Sequence, residues 1–356
     1  MRFSVGVDLH KHQMTVHIKD GKNLMPDLCS KFRTTNDGYD EFTGLLTSIS
    51  ENKDCQIAVE STGNTRYFVK KMQEKGLSVK IVNTMKFKVI NESINKTDKH
   101  DANTLSEFLQ KDMIPEVKLC SKESKDLRAI LKHRKTLKSA TVSLKNQIHC
   151  TMLENGIETR NGQLNSIRGR EKIIEQIDDP VTKTIVSNII KSIEILEEEI
   201  KKLEEELRLM SEGDNAVKIL QSIPGTGFLT AVKVRAYLDD IKRFSSYEKL
   251  SSYCGLVPWV QSSDTKSYYG QITKRGPQEL RTAFIQMAIG MMRVKIEKNN
   301  RYMLSYQIMK RNKGSGKAIV ATARKLTKLV WTLLTEEKNY DPFKSNKIYK
   351  SAYYVA

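Results

Sequence analysis

The 356 residues suffice for two or three domains with real cores, and 60 Lys and Arg against 42 Asp and Glu leave a net charge of +18. That balance points first to a polyanionic partner such as nucleic acid, with a merely basic surface as the alternative. The five cysteines form no Cys-x-x-Cys pair and no apolar run reaches the about 18–20 residues of a membrane span, so a zinc site and a membrane partner are not expected and a reduced, cytoplasmic chain without a leader is.

Phe3 to His10 (Phe-Ser-Val-Gly-Val-Asp-Leu-His) reads as a buried first strand with Val5 and Val7 on one face and Gly6 and Asp8 on the other. A carboxylate in such a run is costly to bury unless paired or metal-bound. Taken alone, Asp8 is equally a strand-end turn acid or a metal ligand. Met14 to Lys19 alternates like a hairpin partner. His10 and His12 read as polar residues beside that hairpin turn rather than as metal ligands. Asp37-Gly38 breaks the chain before a helix through Phe42, Leu45, Leu46 and Ile49. Gln56 to Ser61 is a second strand, ending on Glu60. A helix with Tyr67, Phe68, Val69 and Met72 stops at Gly76, and Leu77 to Val82 is a further strand. Asp98 and Asp101 then stand three apart at the start of a helix, on one face. This α/β layout with an antiparallel start is compatible with a ribonuclease-H-like sheet, and its four carboxylates can converge on a divalent metal.

Lys122 to Asn155 is helical, with an apolar stripe from Leu127 to Met152. Its Lys132, Arg134, Lys135, Lys138 and Lys145 form either a solvated face or a phosphate-contacting one. Gly156 to Gly169 reads as a loop. A long helix follows Pro180, with Ile185, Ile189, Ile193, Leu196, Ile200, Leu203, Leu207 and Met210 spaced 4, 4, 3, 4, 3, 4 and 3. That heptad stripe implies coiled-coil pairing with the preceding helix, with a second subunit, or with both, and a homo-oligomer, dimer or tetramer, is expected.

Ile223-Pro-Gly-Thr-Gly227 between apolar helical segments has the pattern of a helix-hairpin-helix turn. Gly225 and Gly227 permit tight backbone angles there, and the following helix can offer its amides to a DNA phosphate. A polar stretch, Ser262 to Ser267, separates Tyr253–Gln261 from Gly270–Gly276. One helix with Leu280 and Arg281 and another with Met287, Ile289, Met291 and Met292 come next, the methionines as packing. Lys313-Gly-Ser-Gly-Lys317 fails as a phosphate loop, because Arg311 and Ala318 stand where glycine and a hydroxyl are required. It reads as a flexible basic loop before a helix from Ile319 to Leu334. The tail after Asn339 reads as irregular.

These pieces, in this order, resemble the transposases of the bacterial insertion-sequence one-ten family and their relatives, the Piv-type invertases. The resemblance rests on Val-Gly-Val-Asp8-Leu-His, Val-Glu60-Ser-Thr-Gly, Lys-Thr-Asp98-Lys-His-Asp101-Ala, Ile-Pro-Gly-Thr-Gly227, Gly255-Leu-Val-Pro258, Ser262-Ser263 and Gly270-Gln-Ile-Thr-Lys274-Arg-Gly276 through Leu280-Arg281. It implies a RuvC-like domain over residues 1–115, a coiled-coil region over 116–212 and a mainly helical transposase domain over 213–345, before a tail at 346–356. It implies further that Asp8, Glu60, Asp98 and Asp101 hold Mg²⁺ (or Mn²⁺) and that a serine is the nucleophile. Glycine usually follows that serine, whereas Asp264 stands here; position favours Ser263 over Ser262. Recombination of donor and target DNA guided by a structured RNA, in a nucleoid-associated cytoplasmic complex, is implied as well. Lys274, Arg275 and Arg281 are the candidates for clamping phosphate. Two other classes stay open: a metal nuclease acting by water attack, and a non-enzymatic nucleic-acid scaffold.

Overall fold

A computed structural model of the chain describes residues 3–50, 54–90, 97–263, 266–294 and 301–342, and its side-chain description omits 88–90, 262–263 and 266–267. The chain divides into two compact units, Met1–Leu119 and Cys120–Ala356.

The N-terminal unit is a five-stranded sheet with helices on both faces. Its elements run β1 (Phe3–Leu9), β2 (Gln13–Asp20), β3 (Leu28–Arg33), α1 (Asn36–Ile49), β4 (Cys55–Glu60), α2 (Thr65–Glu74), β5 (Ser78–Val82), α3 (Thr84–Ile90) and α4 (Asp98–Gln110). The strand order is β3-β2-β1-β4-β5. The first three strands are antiparallel, and β1, β4 and β5 are parallel. Alternation along β1 divides the unit into two cores. Phe3, Val5, Val7 and Leu9 pack with Tyr39 and Phe42 of α1 and Phe68 and Met72 of α2. On the other face, Ala58 and Val82 pack with Phe87, Leu105 and Leu109. Gly6 lies on that second face. A Cβ there would stand 2.0 Å from the Ala102 carbonyl oxygen and 2.6 Å from the Ser106 amide nitrogen of α4. Glycine is therefore what lets α4 lie directly on β1. Helix α1 begins at Asn36, capped by Thr35, so Asp37 and Gly38 form its first turn rather than a break before it.

The second unit is mostly helical. Two long helices, α5 (Lys122–Glu154) and α7 (Pro180–Met210), pack along one another. Ile189, Ile193, Ile200 and Leu207 of the heptad stripe are buried, Leu196 and Leu203 are half-buried, and Ile185 and Met210 at its two ends are exposed, so the middle of the seam is covered within the chain. Near the far end of the pair, α6 (Ile167–Glu175) completes a small core of Ile148, Met152, Ile173, Ile189 and Ile193. The expectation of a loop through Gly169 is corrected here: Ser166 caps a helix that contains Gly169.

The main core of this unit gathers α8 (Asn215–Ser222), α9 (Phe228–Leu238), α10 (Tyr247–Tyr253), α11 (Gln278–Arg293) and α13 (Ser315–Thr335). The two helices expected around Leu280 and Met287 are one, α11. Between α12 (Arg301–Lys313) and α13 stands a single residue, Gly314, so the expected basic loop is helical from Ser315. Between α10 and α11 the chain forms an antiparallel ribbon of β6 (Pro258–Ser263) and β7 (Lys266–Ile272).

Candidate active site

Asp8 and Glu60 occupy equivalent places at the carboxyl ends of adjacent parallel strands, since Val7 pairs with Val59 one residue earlier. Asp98 and Asp101 lie in the first turn of α4, whose N-cap Thr97 accepts the His100 amide proton. Because Gly6 admits α4 against β1, that first turn comes to the end of β1. Asp98 and Asp101 are both near enough to act electrostatically on Asp8. Burial, with those two acids adding to it, raises the Asp8 carboxyl above its ordinary range, against the opposing pull of His10.

His10, expected as a polar turn residue, lies beside the acids. Its Nε2 lies 2.9 Å from Asp8 Oδ2 and 3.4 Å from Asp98 Oδ1. Asn64, in the turn after β4, donates to the His10 carbonyl at 2.8 Å, tying the two strand ends together. Ligand atoms of Asp8, His10 and Asp98 all lie within 4.8 Å of one another. Two carboxylates and an imidazole at that spacing suit a divalent ion, and the imidazole tilts the set toward first-row transition ions over Mg²⁺. Thr15, the cross-strand neighbour of Asp8, buries a hydroxyl that has no hydrogen-bond partner among the described residues. Behind the acids, buried His17 bonds the Ser106 hydroxyl at 3.1 Å and Lys19 donates to Glu107 at 3.3 Å, joining β2 to α4. Burial lowers the His17 pKa, which favours the neutral ring there.

In the second unit the predicted basic residues have different fates. Arg134 donates to Glu204 of α7 at 2.7 Å, and Lys135 to Glu279 of α11 at 3.2 Å. Arg134 is half-buried in its pair, whereas Lys132, Lys135 and Lys138 are exposed on α5. Gly225, at φ +77°, meets the backbone of α11: a Cβ would lie 2.2 Å from the Gly290 carbonyl carbon. That close packing is a sufficient reason for glycine at 225. Gly227 is the N-cap of α9.

The base of the ribbon is also backbone packed on backbone. A Cβ at Gly276, φ +108°, would lie 1.9 Å from the Tyr253 carbonyl oxygen. Arg281 donates to the Lys274 carbonyl at 3.0 Å and the Cys254 carbonyl at 3.4 Å, so its first task is to bind this base together. Lys274 and Arg275 are exposed. Ser262 and Ser263 are the last residues of β6, paired in register with Ser267 and Lys266. Their side chains, and all of Asp264 and Thr265, lie outside the described residues.

The comparisons with known proteins meet these features at both ends of the chain. Residues 5–155, which hold all four acids, match a transposase model of the DEDD type, and residues 217–303, which hold the ribbon, match the model described as the transposase IS116/IS110/IS902 family. The protein is thus a transposase, an enzyme that cuts and rejoins DNA. It belongs to the IS110/IS116 family. Among its relatives, the transposase for insertion sequence element IS1111A of Coxiella burnetii is 28% identical over 294 residues, covering 80% of this chain and 79% of that one. A probable family 20 transposase of Pseudomonas aeruginosa is 25% identical, covering 95% and 98%. The pilin gene-inverting protein of Moraxella bovis is 24% identical, covering 87% and 89%.

Proposed function

We propose that this transposase breaks and rejoins DNA strands with a divalent ion, Mg²⁺ or Mn²⁺, in a RuvC-like domain and a serine nucleophile in the second unit. The observation that carries the reading is the convergence of Asp8, Asp98 and His10, with Asp101 beside them and Glu60 at the neighbouring strand end. Uncompensated carboxylates repel a nucleic-acid backbone, so their gathering in a strongly basic chain is best explained by a cation. A sheet with three antiparallel strands followed by two parallel ones supports the RuvC-like assignment.

In this reading Asp8, Glu60, Asp98 and Asp101 hold the ion and His10 is an added donor. When bound, the ion supplies charge neutralisation at the phosphoryl oxygens. The Ser263 hydroxyl attacks the scissile phosphorus. Its Oγ–P bond forms, the P–O bond to the departing deoxyribose oxygen breaks, the serine proton is given up and the departing oxygen takes one. The phosphoserine conserves the bond energy, and attack by another strand's hydroxyl reverses the steps. The relative named for inverting a pilin gene supports rejoining as well as cutting. Lys274 and Arg275 face phosphate, with Lys132 and Lys138 contributing along α5. A structured RNA directing donor and target choice, a homo-oligomer, and action at the nucleoid complete the reading.

The test is a denatured reaction containing protein, Mg²⁺, junction DNA and RNA transcribed from the element's flank. The expected product is DNA covalently bound at Ser263, absent in Ser263→Ala and present in Ser262→Ala. The acid cluster would equally serve a nuclease that activates water, and free ends with no adduct in the wild type would establish that reading instead.

A further inference from the structure

The β6–β7 ribbon has a property that neither its packing nor the serine chemistry uses. Four aromatic side chains are more than about a third exposed among the described residues, and three of them are on this ribbon: Trp259 at 48%, Tyr268 at 61% and Tyr269 at 73%, with Tyr67 the fourth. Val260 is 51% exposed as well. A two-stranded ribbon on a helical unit ordinarily lays one face on the core. Here only the base does so, through Ile272; beyond it both faces stay out, since Val260 pairs with Tyr269 on one and Gln261 with Tyr268 on the other.

The Trp259 ring is positioned by the strand beside it. The register shifts between Pro258 and Val260, and the Trp259 indole lies over Gly270, where a Cβ would come 2.2 Å from its Nε1. Gly270 and Tyr268 alternate on the same strand, so the indole and the Tyr268 ring share one face. Below them the Gly276–Tyr253 packing and the Arg281 bonds fix the base. Exposed Lys274 and Arg275 stand at that base. Flat rings with polar edges and positive charge on one ribbon suit an unpaired nucleic-acid strand, because each base has a face to stack and each phosphate a charge to meet.

We propose that Trp259 and Tyr268 form a stacking platform for unpaired bases of the DNA strand being cut, with Lys274 and Arg275 meeting its backbone. The inference rests on the proposed serine chemistry in one respect. Ser263 ends β6 four residues beyond Trp259, so the strand beside the platform is the strand offered to the nucleophile. Bases next to a scissile phosphate must leave the duplex to be exchanged, and a platform that stacks them offsets the cost of unpairing.

The test uses the full-length protein in a Trp331→Phe background, which leaves Trp259 as the sole tryptophan. Its emission is followed as a mixed-sequence oligodeoxynucleotide, the fully paired duplex and an RNA of the same sequence are titrated in turn, and binding is measured in parallel by anisotropy of a labelled strand. The expected result is saturable quenching by the unpaired DNA strand, less by the duplex. Trp259→Ala, in the wild-type background, weakens binding of the unpaired strand about 5- to 150-fold and narrows the gap between strand and duplex, and Trp259→Phe restores most of it. Binding with Trp259 emission unmoved would overturn this inference and leave the recombinase reading standing. A chain that bound neither strand nor duplex would overturn both. Stronger quenching of Trp259 by the RNA than by the DNA strand, with RNA affinity reduced in Trp259→Ala, would overturn the assignment to DNA. Self-association lost in Trp259→Ala with strand affinity intact would show that a second copy covers the ribbon and overturn the platform.

Discussion

Asp8 and Glu197 are both acids with at least partial burial, and they stand in opposite surroundings. Glu197 on α7 accepts from Lys145 of α5 at 3.0 Å and from Arg170 of α6, itself buried and anchored to the Leu164 carbonyl. Burial raises the Glu197 pKa, but the Arg170 and Lys145 bonds and charges outweigh it and hold the carboxyl below its ordinary range. Asp8 has two further acids for neighbours and one half-exposed histidine, and its carboxyl is raised. The first acid is compensated and ties three helices into one small core. The second, among the described residues, meets more negative than positive charge, gathered by a glycine, a helix cap and a cross-strand turn. In the proposed reading the acid cluster serves chemistry, whereas the paired acid serves architecture.

The comparison is broken most severely by exchanging what each acid does. Asp8→Asn is expected to lower strand cleavage about 1000-fold or more while leaving the melting temperature unchanged or slightly higher, because a repelling charge is removed. Arg170→Ala should do the reverse. It leaves Glu197 with Lys145 alone, opens a buried site beside the Leu164 carbonyl and costs about 2–3 kcal/mol of stability by thermal or denaturant unfolding, with the cleavage rate per folded molecule retained. Gly6→Ala lies between the two. The new methyl group forces α4 off β1, so a stability loss of about 1–3 kcal/mol is expected together with loss of Mn²⁺ binding, read by calorimetry on the same samples.

Smaller effects sharpen it. The Glu197 contribution is fully present above the ordinary carboxylate range and is lost as the pH falls through its depressed folded value. The wild type should therefore lose melting temperature on that acid limb, and Arg170→Ala should show a shallower one. His10→Asn should lower Mn²⁺ affinity about tenfold relative to Mg²⁺, measured by competition. Last, Lys132→Gln with Lys138→Gln should reduce the salt dependence of DNA binding by a slope of about 2, without altering sequence preference.

Much of the first unit was legible because its signals are local. Alternation marks β1 and β2, short apolar runs mark β4 and β5, and the three-residue spacing of Asp98 and Asp101 places both in one helical turn. The edge strand β3 was not read: Leu28-Cys-Ser-Lys-Phe-Arg is half-exposed to exposed and carries too little apolar alternation. The β6–β7 ribbon was missed for a stronger form of the same reason, since a ribbon with both exposed faces has no burial pattern to print on its sequence. His10 reads as a solvated turn residue because a histidine at a strand turn ordinarily is one; the approach of Asp98 of α4 to it comes from 88 positions later in the chain. The partners of Arg134 and Lys135 likewise lie 70 and 144 positions away, beyond the reach of any charge pattern along one helix. The second glycine of that kind, Gly225, reads as a turn residue, and its contact with Gly290 emerges only in three dimensions.

The most direct test of the acid cluster as a cation site is Mn²⁺ binding to the full-length protein, followed by the loss of the free-ion paramagnetic resonance signal, in the wild type, Asp8→Asn, Asp98→Asn and Ser263→Ala. The account predicts a saturable class of sites in the wild type and Ser263→Ala that is lost in both aspartate variants, each folded by circular dichroism. Equal Mn²⁺ binding in the wild type and Asp8→Asn would contradict it.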